Sequence, residues 1–463
     1  MAEKAKTLIK DFTTGPIFGP LVAFSVPFML SNALQVLYST VDMIIVGRYM
    51  GEIGITAVGN AAKLFVFFTM ISIGLSMSGQ IYVAQLIGQG RRKELNKAIG
   101  TLFTFLLAFG AVMTVVGLAC AKMMLAAIKV PDDAYAGALS YLLICSAGLV
   151  FSYGYNMVSA VLRGMGDSKR PFLFVAIASV TNLVLDVLFI AGFHWGTFGA
   201  GLATILGQAL SFVFSWIYLY RRREEFGFDF KPASFKPDAG VFRAYLRLGI
   251  PFAVRFAIIN VTMLYVIRLV NAWGASNGLE NVASAVFTVG VQMDDIVTKI
   301  TQGVMQATTG MVGQNYGARK FDRIRKIVID SWLFSLGFYV IYTLFLLLKT
   351  DSMFRMFNVT DPKALELASV FALNIVWQFP GLIIMRGTNG FINGIGNAKL
   401  SLIFGLLDGV VLRLGCSWFF GSYLGQGFAG YVLGYAIACY GMGIPSLIYL
   451  FFCPWQKRKA VTA

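Results

Sequence analysis

From Leu102 to Leu118 the chain carries no charged side chain at all, and comparable apolar runs recur from one end to the other. A spanning helix needs roughly 20 mostly apolar residues. Runs of that length fall at 17–47, 53–87, 94–121, 133–161, 168–192, 196–220, 241–272, 281–313, 324–348, 362–390, 398–421 and 426–452. Only 13% of the residues are charged and mean hydropathy is +0.73, against about 25% charged in soluble domains. The expected fold is therefore an all-α integral membrane protein of twelve transmembrane helices. The spans occupy nearly all 463 residues and leave no room for a soluble domain.

Charge placement gives the orientation. The net charge of +16 would suit a nucleic-acid surface only if it were gathered on one. Instead, of 38 Lys and Arg, 27 sit at or near the face shared by the termini and the even-to-odd connections. Seven sit at the other face, and four (Lys63, Arg255, Lys299, Arg413) lie deeper. By the positive-inside rule both termini are cytoplasmic, and the basic surface meets anionic lipid headgroups. No nucleic-acid partner is expected. The start, Met1-Ala-Glu-Lys-Ala-Lys, is polar, and the first apolar run is far too long for a signal-peptide core, so no cleaved signal is expected. The five cysteines are odd in number and scattered over apolar segments; they read as buried free thiols without a disulfide framework or metal spacing.

The longest polar stretch, Arg221 to Asp238, divides six spans from six. We read residues 1–220 as an N-terminal lobe, 221–240 as a cytoplasmic linker and 241–463 as a C-terminal lobe. Three matches between the halves support an internal repeat. Val83-Ala-Gln-Leu-Ile-Gly88 before Arg91-Arg-Lys93 resembles Val312-Gly-Gln-Asn-Tyr-Gly317 before Arg319-Lys320. Arg163-Gly-Met-Gly-Asp-Ser-Lys169 resembles Asn393-Gly-Ile-Gly-Asn-Ala-Lys399, and Ser25-Val-Pro27-Phe28 resembles Gly249-Ile-Pro251-Phe252. The offsets are 229, 230 and 224 residues. Two such lobes predict a cavity between them near the bilayer midplane.

Ionisable groups within spans are costly unless paired or solvated, so they mark function. Asp42, Asp186, Asp294, Asp295 and Asp408 stand out. Asn182 and Asp186 are four apart and share a helix face, so their oxygens suit a hard cation, or Asp186 a proton. Thr204 and Tyr141 are polar groups in otherwise apolar spans. Helix-packing carboxylates held by hydroxyls are the competing explanation. Asp295 and Lys299, also four apart, read equally as an ion pair or as part of a substrate site. Asp408 and Arg413 are five apart, which predicts partners on other helices. Arg255 and Arg268 read as snorkelling or as offsetting the second lobe's carboxylates. Pro27 removes a backbone hydrogen bond and should bend the first span, as a static kink or as a hinge. The chain has no GxxxxGK[ST] motif, and its single histidine, His194, falls in an outer connection. P-loop ATP binding and histidine relays are thereby excluded, and no Ser/His or Cys/His pair is available within the membrane.

These residues resemble the multidrug and toxic compound extrusion (MATE) family of cation-coupled antiporters. The resemblance runs over most of the chain: Ser25-Val-Pro27, Val41-Asp42-Met-Ile-Ile-Val-Gly47, Gln85 to Gly90, Arg163 to Asp167, Asn182 with Asp186, Gly199-Ala-Gly201 and Gln314-Asn-Tyr-Gly-Ala318. It implies a V-shaped pair of six-helix lobes with alternating access. It also implies a cation site, for Na+ or H+, at Asp42, Tyr141, Asn182, Asp186 and Thr204, and no other metal or cofactor. One branch relies on a Glu in the seventh helix; this chain has Ile259-Asn260 there and no Glu in that span. Asp294, Asp295, Asp408 and Arg255 are the candidate substrate-binding residues, and Pro27 the candidate hinge. The implied function is efflux of small organic, cationic and amphipathic compounds by a monomer in the cytoplasmic membrane of a bacterium or archaeon. The alternatives are a flippase of related fold for lipid-linked precursors, a major-facilitator transporter, and a membrane enzyme or scaffold. Against the major-facilitator reading, Leu86-Ile-Gly-Gln-Gly-Arg91 lacks an Asp before its basic run.

Overall fold

The computed structural model describes residues 9–357 and 359–462. The polar start at 1–6 lies outside them, and of Asn260, Val261, Leu264, Glu280 and Asn281 only the backbone is described. Among the described residues the regular structure is helical throughout.

The lengths follow from the apolar runs and the breaks from glycine and proline. Phe18–Gly88 is two helices joined at Gly51, whose φ of 63° and ψ of −159° belong to a region that only glycine enters freely. Arg92–Ala127, Lys169–Gly192, Gly196–Arg221, Phe321–Leu348, Ala398–Tyr423 and Gly427–Phe452 are each long and apolar enough to cross a bilayer. Asp132–Ala147 with Leu149–Gly164, and Pro362–Ile375 with Gln378–Gly394, reach that length and apolarity as pairs, bent by 48° and 44°. Gly148 sits at the first bend; Pro380 lies in the first turn after the second, where its missing N–H is tolerated. Ala239–Ser276 and Glu280–Gly317 have 38 residues each, ample length with a more polar face. Together these are twelve helical rods among the described residues, the two of 38 residues less apolar than the rest.

The repeat is visible in backbone geometry. The corner after the second span closes with Gln89 N–H donating to Gln85 O and Arg91 N–H to Leu86 O, both at 3.0 Å. After the eighth span, Ala318 N–H donates to Gln314 O at 3.0 Å and Lys320 N–H to Asn315 O at 2.9 Å. The corners before the fifth and eleventh spans both turn through left-handed glycines, Gly166 and Gly396. Each is followed by a side chain that caps the next helix. Asp167 accepts from Lys169 N–H at 3.0 Å, and Asn397 from Leu400 N–H at 3.4 Å.

The chain divides into two compact units. Of the described residues, unit 1 holds 9–12, 30–253 and 461–462, and unit 2 holds 13–29, 254–357 and 359–460. In the first span the division falls two residues after Pro27, and in the seventh two residues after Pro251. Within unit 1, the polar stretch after the sixth span is fastened down by aromatic packing. Phe228 stacks on Phe103 at 5.5 Å and Phe235 meets it edge-on. The core of unit 2 is built around Phe287, Phe354, Phe371 and Phe428, all nearly inaccessible. All five cysteines are free; Cys145 and Cys439 are buried and the others partly so.

Candidate functional site

Two glycines in the sixth span decide what meets in unit 1. A Cβ on Gly201 would lie 3.3 Å from the Tyr141 carbonyl oxygen, and one on Gly207 would lie 2.8 Å from that of Ala178 and 3.3 Å from Asn182 Cβ. Small residues let helix backbones approach in lipid, so this span packs closely on the fourth and the fifth. Thr204 sits between the two glycines and bonds back to its own helix at Ala200 O, 3.0 Å away. Its neighbour across the gap is the Tyr141 hydroxyl.

Asp186 is fully buried and Asn182 nearly so. The Asp186 carboxyl contacts the side chains of both Asn182 and Asp42. The contacts stop short of full hydrogen bonds. Asp42 Oδ1, both Asp186 oxygens and the Asn182 amide nitrogen are buried with no partner at hydrogen-bond distance and angle. Asp186 also ends the regular part of the fifth span, which continues as π-helix over Val187–Gly192, a feature common at functional sites. The structure thus brings Asp42, Tyr141, Asn182, Asp186 and Thr204 into one cluster from four spans. Tyr38, Cys145 and Tyr155 adjoin it. Tyr38 was legible: it precedes Asp42 by four residues and shares its helix face.

Two carboxylates in contact, about 4 Å apart, repel by roughly 4 kcal/mol at an effective dielectric of 20. Among the described residues, no Lys or Arg is among the groups acting on this pair. Oxygens that are buried, close together and short of donors fit a proton or a hard cation.

Unit 2 is arranged differently. Arg255 is held by Asn389 Oδ1 at 2.9 Å and Ser401 Oγ at 2.8 Å, beside Gly405, whose lack of a side chain admits its stem. Asp408 and Arg413 bond each other at 3.2 Å, Asp408 buried and Arg413 partly so, so the expected partners on other helices are replaced by a pair within one span. The reason is local: Leu407–Leu414 is π-helical, and i→i+5 winding aligns residues five apart. Asp294 is buried with both oxygens short of a close partner, touching Gln378 and near Arg386 and Arg413. Asp295 faces elsewhere, half-exposed and 3.7 Å from Lys299. Asp294, Asp295 and Asp408 all lie within electrostatic reach of Tyr435, and Arg255 within reach of Asp408, so the four candidate substrate residues share one neighbourhood of this unit without touching a common point. Arg386, which the sequence reading passed over, donates to Thr298 O at 2.7 Å.

With this geometry in view, comparison with known proteins decides the family. The family model described as MatE matches residues 27–188 and 251–419. This chain belongs to the MatE family. A relative, the probable multidrug resistance protein YpnP of Bacillus subtilis, is 27% identical over 453 residues, 98% of this chain and 99% of its own length. The probable multidrug resistance protein NorM of Thermotoga maritima is 24% identical over 452 residues, covering 96% and 94%. Among solved structures, a MOP-superfamily transporter from Pyrococcus furiosus superposes with a TM-score of 0.91 at 21% identity, over 99% of this chain and all of that one. The repeat found in the sequence therefore lies in a MATE fold. MATE proteins are ion-coupled membrane transporters, so this chain is a transporter and not an enzyme.

Proposed function

We propose that this MATE protein exports small organic compounds, cationic and amphipathic in character, in exchange for Na+ or H+ bound at the Asp42–Asp186 pair. What supports the reading is a single feature: the buried Asp186 carboxylate in contact with the half-buried Asp42, with no basic side chain among the described residues to balance them. Such a pair holds a cation, organic or inorganic, but hardly two at once. Arrival of Na+ or H+ from outside neutralises the carboxylates, the first span bends at Pro27, and the organic cation leaves. A charge moving inward gains about 2.3 kcal/mol per 100 mV of membrane potential. Outside this site, Asp294, Asp295, Asp408 and Arg255 serve unit 2 and its contacts with substrate. The multidrug names of YpnP and NorM point the same way.

In this reading the protein acts as a monomer in the cytoplasmic membrane, both termini cytoplasmic, with lipids and organic substrates as partners. A precursor flippase would need basic side chains free to meet phosphate. Of the three arginines that would serve that reading, Arg413 is committed to Asp408 and Arg255 is held by two side chains, which leaves the exposed Arg268, so efflux is preferred. Reconstituted protein should move ethidium against its gradient when a Na+ or pH gradient is imposed separately. Ethidium flux indifferent to both gradients would overturn the proposal.

A further inference from the structure

The corner between the eighth and ninth spans departs from its repeat partner in two ways, and both favour an anion. In the first half the residue in the left-handed conformation is Gly90, at φ 72°. At the matching place 229 residues later stands Arg319, at φ 56°, with the same hydrogen bonds on either side. A residue with a side chain is strained there, and strain that persists marks a position worth explaining by function. The second departure is in charge. Arg91 is neutralised by Glu94 through bonds of 2.6 and 2.7 Å, whereas the residue matching Glu94 is Arg323.

Around Arg319 lies a pocket of about 420 Å³ whose wall holds four cations, Arg319, Lys320, Arg323 and Arg325, against one carboxylate, Asp322; Phe321 and Gln456 complete it. Two of the cations have other work. Lys320 Nζ donates to Thr13 O at 2.8 Å, and Arg323 donates to Gly15 O at 2.9 Å and Thr14 O at 3.2 Å. They hold the segment that leads into the first span. The guanidinium groups of Arg319 and Arg325 have no hydrogen-bond or ion-pair partner among the described residues. Arg325 also heads a stripe. Ile329, Leu333, Leu336 and Val340 follow it at helical spacing, each 40% or more exposed, as on a face that meets acyl chains.

We propose that this pocket binds the phosphate of an anionic phospholipid, with Arg319 and Arg325 on the head group and the acyl chains along the stripe of the ninth span. Guanidinium groups match phosphate oxygens in paired, charge-assisted bonds. Basic pockets on the cytoplasmic side of membrane helices take anionic headgroups. A soluble phosphate shares the head-group chemistry but leaves the stripe unused.

The test reads binding and not transport, so it stands apart from the export proposal. Purified full-length protein is titrated with phosphatidylglycerol, phosphatidylcholine or inorganic phosphate, following lipid retention by native mass spectrometry and the melting temperature. Phosphatidylglycerol should be retained and raise the melting temperature; phosphatidylcholine and inorganic phosphate should not. Arg319→Gly restores the residue of the first repeat, so it should fold at least as well as the parent while binding phosphatidylglycerol roughly tenfold more weakly. Arg325→Gln, which leaves the backbone alone, should weaken it similarly, and the double variant should lose retention. Equal retention by parent and double variant would overturn the site. Inorganic phosphate matching the effect of phosphatidylglycerol would overturn the lipid.

Discussion

Replacing Asp186 by Asn separates a coupling role from a packing role, because the two give opposite results. Asn has nearly the same shape, so the close packing around the fully buried Asp186 is undisturbed. It also removes a buried carboxylate that lacks close partners, and an uncompensated charge is costly in such a place. Stability should hold or rise. Cation binding should fall sharply. A cation about 4 Å from a carboxylate gains roughly 4 kcal/mol at an effective dielectric of 20, which corresponds to about a thousandfold in affinity. Asp42 remains, so weak binding persists while exchange at physiological Na+ or pH is lost. The assay pairs ethidium efflux from energised cells, corrected for expression, with the melting temperature of purified protein. A variant that melts earlier yet exports at the parent rate would refute the reasoning on both counts.

The other predictions follow from particular contacts. Gly207→Val should separate the fifth and sixth spans, since a Cβ there already meets Ala178 O at 2.8 Å; a loss of about 1–3 kcal/mol and reduced efflux should appear together in thermal melts and transport assays. Asp408→Asn should destabilise unit 2 by about 3–5 kcal/mol, as expected when one member of a buried ion pair is removed. The joint change Asp408→Leu with Arg413→Met should recover much of that loss in the same melting assay.

How much of this was legible depends on which period each residue obeys. Span number, the repeat, and the partnership of Asn182 with Asp186 follow from α-helical spacing and apolar length, and the structure keeps to those rules there. Tyr38 obeys the same i,i+4 rule relative to Asp42, so its place beside the site was readable. The Asp408–Arg413 pair was not. No composition signal announces that Leu407–Leu414 winds as a π-helix, and with α-helical winding the two side chains diverge. Arg386 lies four residues from the end of the tenth span as read from sequence, where a basic residue counts as interfacial. In the fold it is buried and turned toward Thr298 O. Which helices bring Tyr141 and Thr204 to the carboxylates was out of reach too, since that depends on close approach at Gly201 and Gly207.

The two halves share a scaffold but not a charge plan, and the difference bears on where coupling can occur. The same turns and caps recur at Gly166 with Asp167 and at Gly396 with Asn397, so the repeat conserves backbone. Its buried charges do not follow. In unit 2 the buried carboxylates lie among basic groups: Asp408 pairs with Arg413, and Asp294 feels Arg386 and Arg413. Those guanidiniums cannot leave, so the positive charge that balances the carboxylates is permanent. In unit 1 Asp42 and Asp186 have each other, an amide and phenols, but no resident cation among the described residues. Balance there has to come from something mobile, a proton, a sodium ion or an organic cation. A carboxylate pair that must borrow its counter-charge is suited to exchange, whereas one that owns it is suited to hold a structure together. On this argument, introducing a lysine at Thr204 should supply unit 1 with a resident cation and abolish exchange even with both carboxylates intact. Coupled efflux by a folded Thr204→Lys protein would show that the missing counter-charge is not what makes the site work.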